Sequence, residues 1–274
     1  MPENKRFEDI VNSVIESIKP MDEKDALKQI WDEAEYLEML LQKHNPVIMI
    51  AGNIGLGKTT TARIISTFGK TMIDRENADK ELLKLYYDNM EVYAERLQID
   101  LIAQRLNHIA INGLLYPDRP IVYDRTPYED PLIFAKALAS YDQMSQEALE
   151  FCYDYFLIKQ RELKQAFPTV KFKPDLIILL NSGIQNGWKR VNIRKRAMEL
   201  KDDTRKGHGL TFEFYNLLHG YYEVFAKEIE DRGWYRGPIL TLKEDEFEVS
   251  DVTNTKGQLY VIKSVKEALR ILSE

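Results

Sequence analysis

Apolar residues in the first 45 positions recur at helical spacing. Phe7, Ile10, Val11, Val14, Ile15 and Ile18 form one stripe, broken at Pro20. Leu27, Ile30, Trp31, Ala34, Leu37, Leu40 and Leu41 form a second that runs to Asn45-Pro46. Residues 1–45 are therefore expected to be a helical extension of two amphipathic helices, covering the main body or an oligomer interface. From residue 46 the rhythm changes. Short apolar runs at 47–51, 71–74, 120–124, 176–180 and 239–242 read as strands. Helical patterns fall between them: from about 58, over 80–88, 91–111, 131–138 and 146–167, in a basic stretch after 180, over 212–230 and from 263. This alternation predicts an α/β domain over 46–274, a parallel sheet of about five strands flanked by helices on both faces.

Composition narrows the classes of function. The apolar run at 176–180 is far too short to cross a bilayer, so no membrane partner is expected. The N-terminus mixes Glu3, Glu8, Asp9 and Glu16 with basic residues, unlike a secretory signal. A single cysteine, Cys152, precludes an internal disulfide and fits packing in a reducing, cytoplasmic setting. The net charge of −6 argues against a protein that coats nucleic acid. It leaves room for a local cationic site that holds a small anion.

Such a site is written at Gly52-Asn53-Ile54-Gly55-Leu56-Gly57-Lys58-Thr59, which matches G-x-x-x-x-G-K-[ST] between an expected strand and an expected helix. The glycines let the backbone curl until its amides converge on phosphate oxygens. The helix start adds positive dipole, Lys58 neutralises the β- and γ-phosphates, and Thr59, followed by Thr60, offers a hydroxyl to Mg²⁺. This loop implies ATP without naming an acceptor.

Three further blocks carry chemistry. Asp124-Arg125-Thr126-Pro127-Tyr128-Glu129-Asp130-Pro131-Leu132-Ile133-Phe134-Ala135 begins at a strand end, where α/β sheets bind ligands and where an acid can hold a metal. Leu97-Gln98-Ile99-Asp100 precedes Arg105, and the seven-residue step from Gln98 to Arg105 is two helical turns, on one face. A glutamine amide is donor and acceptor at once, which suits a purine or cytosine edge. Arg190-Val191-Asn192-Ile193-Arg194-Lys195-Arg196 concentrates guanidinium groups, with Arg190 and Arg194 on one face, in an otherwise acidic chain.

In this order the blocks resemble the deoxynucleoside kinases, the deoxycytidine, deoxyguanosine and bacterial deoxyadenosine kinase group, from about residue 47 to the C-terminus. The resemblance implies a P-loop kinase fold and transfer of the γ-phosphoryl group of ATP to the 5′-hydroxyl of a deoxyribonucleoside, a purine nucleoside or deoxycytidine. It implies catalytic roles for Lys58, Arg125 and a glutamate after the second strand, here Glu76, with Asp74 as the competing base. It places Thr59 and Asp124 on Mg²⁺, and the lid arginines Arg190, Arg194 and Arg196 on the donor with the phosphate loop. Gln98, Arg105, Asp130 and Phe134 would meet the base, and Tyr87 and Glu199 the sugar 3′-hydroxyl. A homodimer is implied as well. The chain departs from the family pattern by a charged insertion at 200–208 and an extension near 249–257. Two other readings of the scaffold remain open: a nucleoside monophosphate kinase and a non-catalytic assembly subunit.

Overall fold

The computed structural model describes residues 2–74, 79–194 and 210–273. Helices α1 (Pro2–Ile18) and α2 (Glu23–His44) precede strand β1 (Val47–Gly52) and α3 (Lys58–Gly69). There follow β2 (Met72–Asp74), α4 (Lys80–Asp88), α5 (Met90–Leu115), β3 (Ile121–Tyr123), a π-helical turn at Asp130–Ala135, α6 (Lys136–Ser140) and α7 (Gln146–Ala166). The last elements are β4 (Leu176–Asn181), α8 (Ile184–Arg194), α9 (Phe212–Asp231), β5 (Ile239–Lys243) and α10 (Thr255–Leu272).

All five strands are parallel, in the order β2-β3-β1-β4-β5. Side chains alternate across each strand and so divide the interior in two. Met49, Ala51, Tyr123, Ile177 and Leu179 face a core built with α4 to α7 and α9. Ile48, Ile50, Val122, Ile178, Leu180 and Leu242 face a core built with α1, α2, α3 and α10. The N-terminal helices thus share one continuous core with the sheet. Phe7, Val11, Ile15 and Ile18 of α1 and Ile30, Leu37 and Leu41 of α2 are buried there, and Lys263 of α10 donates to the Ser17 hydroxyl (3.2 Å).

Three sequence expectations need correction. Leu27 and Trp31 belong to the apolar repeat of α2 yet are 52% and 68% exposed, because the buried stripe follows Ala26, Ile30, Ala34 and Leu37. Helix α10 starts at Thr255, eight residues before the position expected. The polar run Asp251-Val252-Thr253-Asn254 hid that start. Asn254 caps the helix by accepting from the Gly257 amide (2.9 Å), and the glycine is needed because a Cβ there would lie 2.8 Å from Phe247 O. The helix expected at 131–138 opens instead as a π-turn, a rare winding that recurs at functional sites.

Candidate active site

Every strand's carboxyl end contributes to one edge of the sheet. The phosphate loop leaves the central strand β1, Asp74 ends β2, Asp124 follows β3, Ser182 follows β4 and Glu244 follows β5. Asp124 N donates to Asp74 O (2.9 Å), so the two acids sit on neighbouring strand ends.

The loop's conformation explains its glycines. Gly57 has φ +84°, and a Cβ on it would meet Ser250 Cα at 2.7 Å; Gly52 has φ +150° against Leu180. Lys58 is buried and donates to Gly52 O (2.6 Å) and Asn53 O (2.9 Å), which holds its ammonium inside the curl. The Thr59 hydroxyl donates to Asp124 Oδ2 (2.6 Å). Asn53 is fully buried, its amide spent on the Tyr215 carbonyl (3.3 Å), while the Tyr215 hydroxyl donates to Ile54 O (3.1 Å). Leu56 is buried, and the Thr60 hydroxyl donates to Ser250 O (3.2 Å). The segment near 249–257, read from sequence as an extension, is thereby fastened to the loop.

Helix α8 lies directly on this loop, since a Cβ at Gly55 would lie 3.1 Å from Val191 and 3.2 Å from Gly187 O. Its first turn is held by Asp245, which accepts from the Gly183 amide, the Ser182 hydroxyl (2.7 Å) and the Asn186 amide (2.9 Å). These bonds hold the Asp245 carboxyl below its usual range, against the opposing effect of burial. Arg190 is paired with Glu244, which is wholly buried and whose pKa is raised by that burial, the guanidinium notwithstanding. Arg194 ends the helix.

Beside the loop, Arg125 adopts φ +152°, a region nearly confined to glycine. Its guanidinium donates to Glu129 Oε1 (3.2 Å) and lies 4.9 Å over the Phe134 ring. Asp130 is wholly buried and bonded to Arg105 Nε (2.7 Å). Burial lifts the Asp130 carboxyl to about 6, with Arg105 and then Arg125 pulling it down. Gln98, on the same α5 helix as Arg105, is also buried. Gln98 Oε1 and Asp130 Oδ1 find no hydrogen-bond donor among the described residues. Tyr87 lies half-buried with its ring 5.2 Å from that of Tyr86.

The chain matches the family model for deoxynucleoside kinases over residues 48–270. It belongs to the deoxynucleoside kinase family. Among solved structures the kinase is similar to deoxyadenosine kinase from M. mycoides with bound dCTP, at TM-score 0.57 and 23% identity, over 73% of this chain and 90% of that one. The same enzyme with products dCMP and a flexible dCDP gives TM-score 0.58 and 23% identity, over 78% and 94%. Its dATP-bound form gives 0.57 and 21%, over 73% and 91%. At such identities the likeness is one of fold. No match is found among curated proteins.

This kinase therefore gathers Lys58, Thr59, Asp124, Arg125, Arg105, Asp130, Phe134 and α8 about one sheet edge. Glu76, Arg196 and Glu199 lie outside the described residues, as does the 200–208 insertion. Sequence reasoning missed Glu129, Tyr222, Glu244 and Asp245. The clue for Glu129 was Thr126-Pro127-Tyr128-Glu129, a T-x-x-E box that signals a carboxylate folded back on the chain. It also missed His108, whose Nδ1 lies 3.3 Å from Asp74 Oδ2. Cys152 is buried, its thiol pushed up to about 12 by desolvation, which fits the packing role expected.

Proposed function

We propose that this kinase transfers the γ-phosphoryl group of ATP to the 5′-hydroxyl of a deoxynucleoside whose base carries an amine where thymine carries its O4 carbonyl, deoxyadenosine or deoxycytidine. The observation that carries the choice is a pair of buried acceptors, Gln98 Oε1 and Asp130 Oδ1, that meet no donor among the described residues. A buried acceptor left unmatched costs free energy that a ligand N–H recovers on binding. Thymine offers a carbonyl oxygen where adenine and cytosine offer an amine, so it would set acceptor against acceptor. The dATP, dCTP and dCMP held by the M. mycoides enzyme all carry such a base.

The remaining roles follow the residues. The loop amides and Lys58 bind the donor phosphates, and Arg190, Arg194 and Arg196 brace them from the lid. Tyr87 and Glu199 hold the sugar. Glu76 takes the 5′-hydroxyl proton; in support, the alternative carboxylate, Asp74, is faced by His108. Thr59 and Asp124 bring two hard oxygen donors together, a set that fits Mg²⁺. When bound, that ion would supply charge neutralisation at the phosphates. A homodimer is supported by exposed apolar residues on two adjoining helices, Ile111, Leu114 and Leu115 of α5 with Phe151 and Ile158 of α7.

Radiolabel transfer from ATP across the four deoxynucleosides and deoxyadenosine monophosphate tests this reading. Turnover of deoxyadenosine or deoxycytidine well above thymidine is expected. Preferred transfer to the monophosphate would overturn it.

A further inference from the structure

Among the described residues Glu129 is a heavily bonded carboxylate near the site, with five donors, and phosphate chemistry gives it no direct task. It is completely buried. One oxygen, Oε2, accepts from the Thr126 amide (2.8 Å) and the Thr126 hydroxyl (3.1 Å). The other, Oε1, accepts from Arg125 Nη1 (3.2 Å), the Tyr222 hydroxyl (2.5 Å) and the Gly52 amide (3.3 Å). The Thr126 bonds alone would be a capping box that opens the following turn. The second oxygen turns the other way, into the site.

We propose that Glu129 is a positioning residue that fixes Arg125 at both ends and ties it to the first amide of the phosphate loop. The backbone end matters because Arg125 holds a φ of +152°, a geometry that persists only where its surroundings impose it. Glu129 imposes it through the next amide, that of Thr126. The guanidinium end is aimed by the ion pair, with Tyr222 of α9 as a second support on the same oxygen. Burial and the adjacent Glu129 carboxylate raise the Tyr222 hydroxyl well above its usual pKa, so it stays a donor. Through Gly52 the same carboxylate touches the loop, so donor binding and guanidinium placement form one mechanical unit. Arg125 acts on the reacting groups, and Glu129 acts through Arg125.

The inference rests on the kinase reading above, and one kinetic set separates the two. Glu129→Gln keeps the shape but turns amide hydrogens toward donors at Arg125, Tyr222 and Gly52. With whichever deoxynucleoside the wild type phosphorylates, kcat should fall roughly 10–100-fold while KM for ATP and nucleoside moves less than about threefold, as expected when an interaction acts mainly in the transition state. Arg125→Ala should cost as much or more, and Glu129→Gln in the Arg125→Ala background should change kcat by less than about twofold, because two residues acting as one unit are not additive. Glu129→Asp should recover part of the loss. Multiplying losses in the double variant, or an unchanged kcat with only a lowered melting temperature, would overturn the positioning role and leave the kinase reading intact. A wild type that phosphorylates no deoxynucleoside would overturn both.

Discussion

The two ends of the candidate site are built on opposite principles. At the phosphate end polar groups are matched to one another: Lys58 caps two carbonyls, Thr59 meets Asp124, Glu129 takes five donors, and Arg190 is paired with Glu244. At the proposed base end two buried acceptors, Gln98 Oε1 and Asp130 Oδ1, have none among the described residues. A matched network holds its own shape. On the function proposed above, the unmatched pocket is completed only when the right base edge enters, and each missing bond carries about 1–3 kcal/mol. Catalytic geometry is, on that same reading, stored in the matched network and selectivity in the deficit.

Removing the loop cation should do the greatest harm. Lys58→Ala is expected to cut transfer at least 10³-fold in the radiolabel assay, consistent with loss of a preorganised charge at the transferring group. Its circular dichroism should stay native. Retained turnover would place donor binding elsewhere.

The base end should break differently. Arg105→Met with Asp130→Ala removes both partners of a buried pair, and the ratio of kcat/KM for thymidine over deoxyadenosine should rise roughly 10–100-fold. Arg105→Met alone should be less stable than the double variant in thermal denaturation, since it strands Asp130 without its cation. A double variant with an unchanged substrate profile would remove the recognition argument.

Gln98→Leu sharpens the contrast, because it deletes, at similar volume, an acceptor that meets no donor among the described residues. Its melting temperature should match or exceed the wild type while deoxyadenosine kcat/KM drops about tenfold. Loss of both stability and activity would show that the glutamine is satisfied.

The smallest effect is one of pH. With its pKa raised to about 6 by burial, Asp130 in the folded chain binds a proton more tightly than in the unfolded chain. Its contribution to stability is therefore present at low pH and lost as pH rises through that window. On the proposed reading, base recognition uses the ionised acceptor and runs the other way. KM for deoxyadenosine should rise as pH falls below about 6, and a flat profile between pH 5 and 8 would contradict the assignment.

The sheet and the phosphate loop were legible because strand-length apolar runs and a fixed glycine spacing are local signals. The Arg105–Asp130 pair was less so: helical spacing put Gln98 and Arg105 on one face, yet only the fold turns that face inward and buries it against the π-turn. Glu129 shows the remaining limit. Its link to Thr126 is local and visible in the T-x-x-E box, whereas its bonds to Gly52 and Tyr222 span 77 and 93 residues and exist only after folding. Likewise, Ser250 reads as part of an extension until Gly57 and Thr60 are found against it.

The most direct measurement compares deoxyadenosine with purine 2′-deoxyriboside, the same nucleoside without its 6-amino group. A pocket completed by that amine should favour deoxyadenosine in kcat/KM by at least about 10²-fold, because the analogue leaves buried acceptors unpaired. Equal efficiency for the two would contradict it.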